Sequence, residues 1–329
     1  MQQLPKLYKP TLDLLKEGKN LLAFSGGVDS SALFFTLKNY DIDFDLAIVN
    51  YGKREESKEE VNYAKELCLR YNKRFFLYKC DLEDSNFEHN ARVQRYDFFK
   101  KIIKENDYEN LITAHQLNDR LEWFLMQLGR GSGLVEMLGM SQIEDSENYK
   151  IIRPFLHISR KKIQEFLNLN KIKYFIDKSN NSNRYKRNRI RHNYSNSFVE
   201  EFENGLTKSF EYLENDIDIL LPKNEKKIEN LFILKRESED LKNIRQIDKV
   251  VKKMGILISK AQREEIIKTK DCVISDKIAI AFTDNSIFIS PFIKSNMPKK
   301  FKELCRVNKI PSKIRPYLYT KNINPISLS

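Results

Sequence analysis

Leu21-Leu22-Ala23-Phe24-Ser25-Gly26-Gly27-Val28-Asp29-Ser30-Ser31 decides how the rest of the chain is read. Four apolar residues in a row predict the end of a buried parallel strand. Residues 25–30 are then a tight loop, and residues 31–37 start a helix. A strand, a Gly-Gly turn and a helix N-terminus together make an anion site. Backbone N–H groups face the ligand there, and the helix dipole favours negative charge. Gly26 and Gly27 admit positive φ and the close approach of a phosphate. Hydroxyls and the Asp29 carboxylate line the rim. An ordinary strand-to-helix turn would explain Gly-Gly alone. Serines on both sides of a Gly-Gly-Val-Asp core favour the phosphate site. The loop is not of the Walker A kind, since no Gly-Lys-Ser/Thr follows.

Working outward, residues 7–17 have an amphipathic pattern and predict a first helix. Strands are expected at 45–50, 74–78 and 110–114, with helices at 58–71, 90–104 and 119–128. Strands alternating with helices indicate a doubly wound parallel sheet covered on both faces, an α/β fold. A flexible glycine loop spans 129–133. A short strand at 151–152 and a helix at 159–168, capped by Ser159, complete the first region. Residues 179–197 read as a basic connector or the start of a helix. A long helix over 200–221 leads away. Helices around 237–254 and 260–268 precede two strands, 278–282 and 286–289, joined by a hairpin turn at Asp284-Asn285. The expectation is a smaller, mostly helical C-terminal domain with a hairpin.

The chain has 329 residues and a formal net charge of +12. Its length suits two domains with an appendage. The basic charge is concentrated. Residues 151–191 hold 12 Lys and Arg against two acids, Glu165 and Asp177, and residues 294–329 hold nine against one, Glu303. A solvated charged face would mix both signs, so these blocks read as a footprint for a polyanion. The four cysteines, Cys68, Cys80, Cys272 and Cys305, include no Cys-x-x-Cys, so neither zinc nor a redox pair is signalled. No apolar run reaches membrane-spanning length, and the N-terminus has no apolar signal region. A cytoplasmic location without membrane attachment is the expectation.

A second informative stretch is Thr113-Ala114-His115-Gln116-Leu117-Asn118-Asp119-Arg120-Leu121-Glu122. His115 falls after a predicted strand, and ligands of open α/β sheets sit outside the carboxyl ends of the strands. His115 and the 25–30 loop are therefore expected to share one crevice. Asp119 and Glu122 lie three apart, so their carboxylates share a helix face suited to an ammonium group or a metal. Helix capping by Asp119 and a surface ion pair by Glu122 are the plainer alternatives.

The first stretch resembles the SGG-x-DS pyrophosphate loop of the PP-loop ATPases, which cleave ATP between the α- and β-phosphates. His-x-x-x-Asp-x-x-Glu, followed by Gly129-Arg130-Gly131-Ser132-Gly133 and Gly139-Met140, narrows the resemblance to the bacterial tRNA(Ile)-lysidine synthetases. Further pieces follow in order. They are Asn50 to Ser57 with Tyr51 where a His is usual, then Ala91-Arg92 with Arg95-Tyr96, then Arg153-Pro154, and Ser159-Arg160. Asp177-Lys178-Ser179-Asn180 comes next, then Arg184 to Arg191. The resemblance covers residues 20–195. Asn118 stands where the family has the first Asp of a pair.

This resemblance implies that Ser25, Gly26, Gly27, Val28, Asp29 and Ser30 hold ATP phosphates bridged by Mg²⁺, with no dedicated protein metal site. It implies adenylation of the wobble cytidine, position 34, of the CAU-anticodon tRNA(Ile). Free lysine then attacks C2, giving lysidine, AMP and pyrophosphate, and codon reading moves from AUG to AUA. Asp119 and Glu122 are expected to bind lysine. Asp29 and His115 join them as catalytic candidates. His115 and Asp119 both stay open as proton acceptor. Arg92, Arg95, Arg153, Arg160, Arg184, Arg187 and Arg191 are expected on tRNA. The implied domains are 1–199 for catalysis, 200–293 for tRNA binding, and 294–329 as a shortened basic module. No obligatory protein partner is evident. A tRNA thiolase, an amidating synthetase acting on a small molecule, and a non-catalytic RNA-binding protein are the competing readings. The absent Cys-x-x-Cys, the basic blocks with no glutaminase domain, and the intact loop weigh against them in turn.

Overall fold

The computed structural model describes residues 4–52, 56–80, 87–146, 148–176, 186–221 and 225–328. They form two compact units, Met1–Glu214 and Asn215–Ser329.

The first unit opens with helix α1 (Lys9–Glu17). It continues β1 (Asn20–Phe24), α2 (Val28–Asn39), β2 (Asp45–Asn50), α3 (Glu56–Arg70) and β3 (Phe75–Lys79). Then come α4 (Phe87–Asn106), β4 (Asn110–Ile112), α5 (Leu117–Leu128), a short α6 (Leu134–Met137), β5 (Ile143–Asp145), β6 (Lys150–Ile152) and α7 (Arg160–Leu169). The sheet order is β3-β2-β1-β4-β6-β5. The pairs among β3, β2, β1, β4 and β6 are parallel, and β5 runs antiparallel at the edge. The expected doubly wound sheet is there, covered on both faces. Leu22, Phe24, Leu46 and Ile48 enter one core with α2, α3 and α7. Leu21, Ala47, Leu111 and Ile151 enter the other with Phe99, Ile102 and Ile103 of α4. The alternation follows from side chains pointing to opposite faces of a strand.

Strand order reverses between β1 and β4, which makes that gap the topological switch point where such sheets hold ligands. The stretch quoted first follows β1, and His115 follows β4. Three local features differ from the sequence reading. Helix α2 begins at Val28 rather than at 31, so Asp29 and Ser30 occupy its first turn. Strand β4 ends at Ile112, leaving Thr113 to Gln116 as a short connector. The hairpin β5–β6 adds an edge strand that three-residue segments do not announce.

After Leu169 the described chain resumes as α8 (Lys186–Ile190), one π-helical turn (Arg191–Ser195) and the long α9 (Asn196–Leu220). The second unit holds β7 (Glu225–Ile228), β8 (Leu231–Lys235), α10 (Asp240–Lys253), α11 (Lys260–Thr269) and β9 (Asp271–Ile274). It ends with β10 (Ile278–Phe282), β11 (Ser286–Pro291), α12 (Lys299–Val307) and α13 (Arg315–Thr320). The hairpin expected at Asp284-Asn285 joins β10 to β11 and sits inside an antiparallel sheet of order β7-β8-β11-β10-β9. Ile278, Ile280, Ile287 and Ile289 face α10 and α11. Ala279, Ala281 and Phe288 face Cys305, Ile314, Tyr317 and Leu318. The basic C-terminal residues thus share a core with the sheet. Among the described residues no helix is long and apolar enough to cross a membrane.

Candidate active site

The loop after β1 is built by reciprocal polar contacts. Gly26 has φ +75, and a Cβ there would lie 3.3 Å from the Phe175 ring. The Phe175 N–H donates to the Gly26 carbonyl at 2.9 Å, and the Ser31 hydroxyl donates to the same oxygen at 3.1 Å. Ser25 and Ser30 hydroxyls meet at 3.1 Å, and the Ser25 N–H donates to Ser30 Oγ at 3.2 Å. These contacts fix the turn and use its carbonyl and hydroxyls. The N–H groups of Val28, Asp29 and Ser30, in the first turn of α2, have no intrahelical acceptor by position and point where an anion would sit.

Asp29 is the charge anomaly of this loop. Its Oδ1 is buried and has no hydrogen-bond partner among the described residues. Burial, with Asp119 and Glu122 adding repulsion, pushes its pKa up to about 7, while Arg160 and Arg191 pull the other way. Those same interactions place Asp29 in one electrostatic neighbourhood with Asp119, Glu122, Arg160 and Arg191. A buried, unsatisfied carboxylate oxygen beside an anion loop fits a divalent cation that also binds phosphates. Mg²⁺ is typically held that way, by one or two carboxylates plus substrate oxygens.

Helix α5 supplies the opposite wall. Its N-terminus is a capping box: Gln116 Oε1 accepts from the Asn118 N–H at 2.6 Å, and Asp119 Oδ2 accepts from the Gln116 N–H at 3.1 Å. Capping, the plainer alternative for Asp119, therefore uses one oxygen and leaves Oδ1 for the site. Arg187 Nη2 donates to that Oδ1 at 2.7 Å, and Arg187 Nε to Glu122 Oε2 at 2.7 Å. Arg191 Nε donates to Glu122 Oε1 at 2.6 Å, with further contacts to Glu122 Oε2 at 3.1 Å and Asp119 Oδ1 at 3.3 Å. Glu122 is completely buried, which rules out the surface pair weighed for it. Burial works to raise the Asp119 pKa, but Arg187, His115 and Arg191 outweigh it and hold the carboxyl below its ordinary range. Two carboxylates and two guanidiniums thus form a closed quartet.

His115 donates or accepts at Nδ1 with Thr113 Oγ1, 2.9 Å away. Burial, reinforced by Arg153, Arg187 and Arg92, pushes its pKa down to about 3 against the opposing pull of Asp119. The imidazole is therefore neutral at physiological pH.

The other arginines separate. Arg153 is 5% exposed, and its fork is held by the Ser141 carbonyl at 2.8 Å and Glu144 at 2.7 Å, so it braces the β5–β6 hairpin. Arg160 begins α7, and its charge favours the ionised form of Asp29. Arg92 is exposed on α4, over the Tyr96 ring at 4.8 Å. Arg95 is half-buried near Tyr51, whose hydroxyl donates to the Ala91 carbonyl at 3.1 Å. Arg184 and Asp177 to Asn180 lie outside the described residues. Asn118, the departure noted above, uses both ends of its amide. Nδ2 donates to Asn196 Oδ1 at 3.1 Å, and Oδ1 accepts from the Arg160 N–H at 3.2 Å. The sequence reading missed Arg120. It is buried, with its guanidinium 4.2 Å over the Phe210 ring and 2.6 Å from Glu214. Its place between Asp119 and Glu122 was the available signal.

The PP-loop domain family matches residues 1–197. Over 320 residues the chain is 48% identical to a protein of Campylobacter jejuni named tRNA(Ile)-lysidine synthase, covering 97% of this chain and 98% of that one. The chain belongs to the tRNA(Ile)-lysidine synthase family. The enzyme of that name from Helicobacter pylori is 38% identical over 318 residues, 95% of this chain and 93% of its own. Among solved structures, the U34-tRNA thiolase NcsA from Methanococcus maripaludis, described with its [4Fe-4S] cluster, superposes with a TM-score of 0.52. The identity is 18%, covering 67% of this chain and 78% of that one. At that identity the likeness is one of fold.

Proposed function

We propose that this chain joins lysine to C2 of the wobble cytidine of a CAU-anticodon tRNA(Ile), at the expense of ATP. One observation carries the reading: an anion loop and a buried carboxylate pair face each other across the switch point of the sheet, in a member of the lysidine synthase family. In the first step the cytidine C2 oxygen attacks the α-phosphorus and pyrophosphate leaves. In the second, the lysine side-chain nitrogen attacks C2, the C2–O bond breaks, and AMP departs with that oxygen. The nitrogen gives up its proton.

In this reading, residues 25–30 and the first turn of α2 hold the triphosphate, and Asp29 holds Mg²⁺, which would offset charge on the leaving pyrophosphate. Arg160 stands close enough to the same phosphates to share that charge. His115, neutral, offers a ring nitrogen to the phosphates or to the transfer step. Asp119 and Glu122 bind the lysine ammonium. Both are paired with Arg187 and Arg191, so lysine binding requires an exchange of cationic partners. Burial weakens His115 as a base and the flanking arginines weaken Asp119, so basicity does not choose between them as acceptor of the amine proton. Residues 1–199 carry the chemistry in this proposal, and residues 200–293 and the basic segment 294–329 hold the tRNA body. Arg92 and Arg95 lie on the RNA side. Arg153, already engaged, supports the site from behind.

The test is purified protein with ATP, Mg²⁺, radiolabelled lysine and a CAU-anticodon tRNA(Ile) transcript. Label entering the RNA, and mass spectrometry placing lysine on position 34, is the expected result. ATP turnover with no label in the RNA would overturn the reading.

A further inference from the structure

The segment that carries Arg187 and Arg191 continues into a row of exposed aromatic side chains. Tyr194 is 61% exposed, Phe198 46% and Phe202 47%. The residues follow one another at four-residue intervals, so they form a stripe along one side of the helical arm. Buried Val199 and Phe210 anchor α9. The Phe198 and Phe202 rings lie 5.0 Å apart and tilted by 50°. The two rings pack against each other and each residue stays about half exposed. The backbone is irregular at both ends of the stripe, with the π turn at Arg191–Ser195 and non-helical angles at Phe202. π turns inside α-helices recur at functional sites.

We propose that Tyr194, Phe198 and Phe202 are a stacking platform for the unpaired bases that flank the target cytidine in the anticodon loop. This rests on the function proposed above and adds how the loop is held. Two observations choose this occupant. The stripe starts one turn beyond Arg191, which contacts both site carboxylates, so a nucleotide in the site brings its neighbours over these rings. The segment leading into the stripe is Lys186, Arg187, Asn188, Arg189, Ile190, Arg191 and His192, with no acid. A cationic stretch joined to open aromatic faces matches single-stranded RNA, whose phosphates pair with the charge and whose bases stack on the rings. A second copy of the chain would set two such cationic segments against each other.

The experiment uses the full-length protein and an anticodon stem–loop RNA carrying 2-aminopurine immediately 3′ of the CAU triplet. Stacking on a ring quenches that fluorophore, so wild-type protein should quench it on binding. Phe198→Leu and Phe202→Leu keep apolar bulk and remove the aromatic face. Each should weaken RNA binding roughly tenfold, and combined with Tyr194→Leu they should abolish quenching, with MgATP affinity unchanged. Phe198→Tyr with Phe202→Tyr should restore both signals, which separates stacking from general damage to the arm. Wild-type affinity and quenching in the triple variant would overturn the proposal. So would a wild-type dimer in sedimentation that the triple variant loses while RNA affinity stays the same. If wild-type protein quenches the loop RNA yet never incorporates lysine, the enzymatic reading fails and the platform stands.

Discussion

Asp29 concentrates the chemistry of the loop into one side chain. Its carboxyl has a pKa pushed up to about 7 in the folded protein and near 3.8 when exposed. The folded state therefore binds this proton more tightly than the unfolded one. Its contribution to stability is full below the lower value and is lost as pH rises through the upper one. Mg²⁺ binding demands the ionised form. MgATP binding should release close to one proton below pH 7 and weaken as pH falls, which calorimetry in buffers of different ionisation heat would read. Asp29→Asn should remove the proton release along with most of the affinity. Asp119→Asn keeps a side-chain oxygen for the helix cap and removes the charge. It should raise the lysine KM at least tenfold, from a lost charge-assisted contact of about 1.5–3 kcal/mol. An unchanged lysine KM would free Asp119 from its assigned role. Asn118 makes a different point. Its amide donates to Asn196 and accepts from the Arg160 N–H, a pairing that a carboxylate cannot reproduce. Asn118→Asp should cost about 1–3 kcal/mol in denaturant titration.

At the scale of elements, the strand–turn–helix around Gly26 is the part that a short stretch of sequence specifies almost completely. Apolar runs gave the parallel strands, Ser159 marked the start of α7, and Asp284-Asn285 marked the β10–β11 turn, because each of those signals is local. Glu225–Ile228 and Asp271–Ile274 were not legible as strands. They are short and partly charged, and only pairing with β8 and β10 makes them extended. The carboxylate quartet was half legible. Asp119 and Glu122 declare a shared face by spacing, but Arg187 and Arg191 reach them from 65 to 72 residues away. Nothing in the sequence told Arg153, turned inward, from Arg92, turned outward. Gly26→Ala tests the turn itself. A side chain at φ +75 costs about 1–2 kcal/mol, and its Cβ would also press the Phe175 ring. ATP affinity should fall roughly tenfold or more, and the melting temperature should drop by only a few degrees, about 2–4 °C per kcal/mol.

At the scale of the whole chain, charge and fold divide the work. The sheet of the first unit places loop, histidine and carboxylates around one switch point. The two basic blocks expected to meet RNA lie at 151–191 and 294–329. The second of these packs on the antiparallel sheet through Cys305, Ile314 and Leu318, so its lysines are carried on a folded layer. Phosphate contacts release counterions, so tRNA affinity should drop roughly a hundredfold or more between about 50 and 200 mM salt. A flat response would remove the basic blocks from the account.

In the proposed reaction one loop at the tip of β1 activates the cytidine that lysine then attacks. Its most direct test follows α-labelled ATP and labelled lysine together in a single reaction with the CAU-anticodon tRNA. One AMP should form for each lysine joined to RNA, with both products lost together in Asp29→Asn. ADP in place of AMP, or lysine joined at the wild-type rate by that variant, would contradict it.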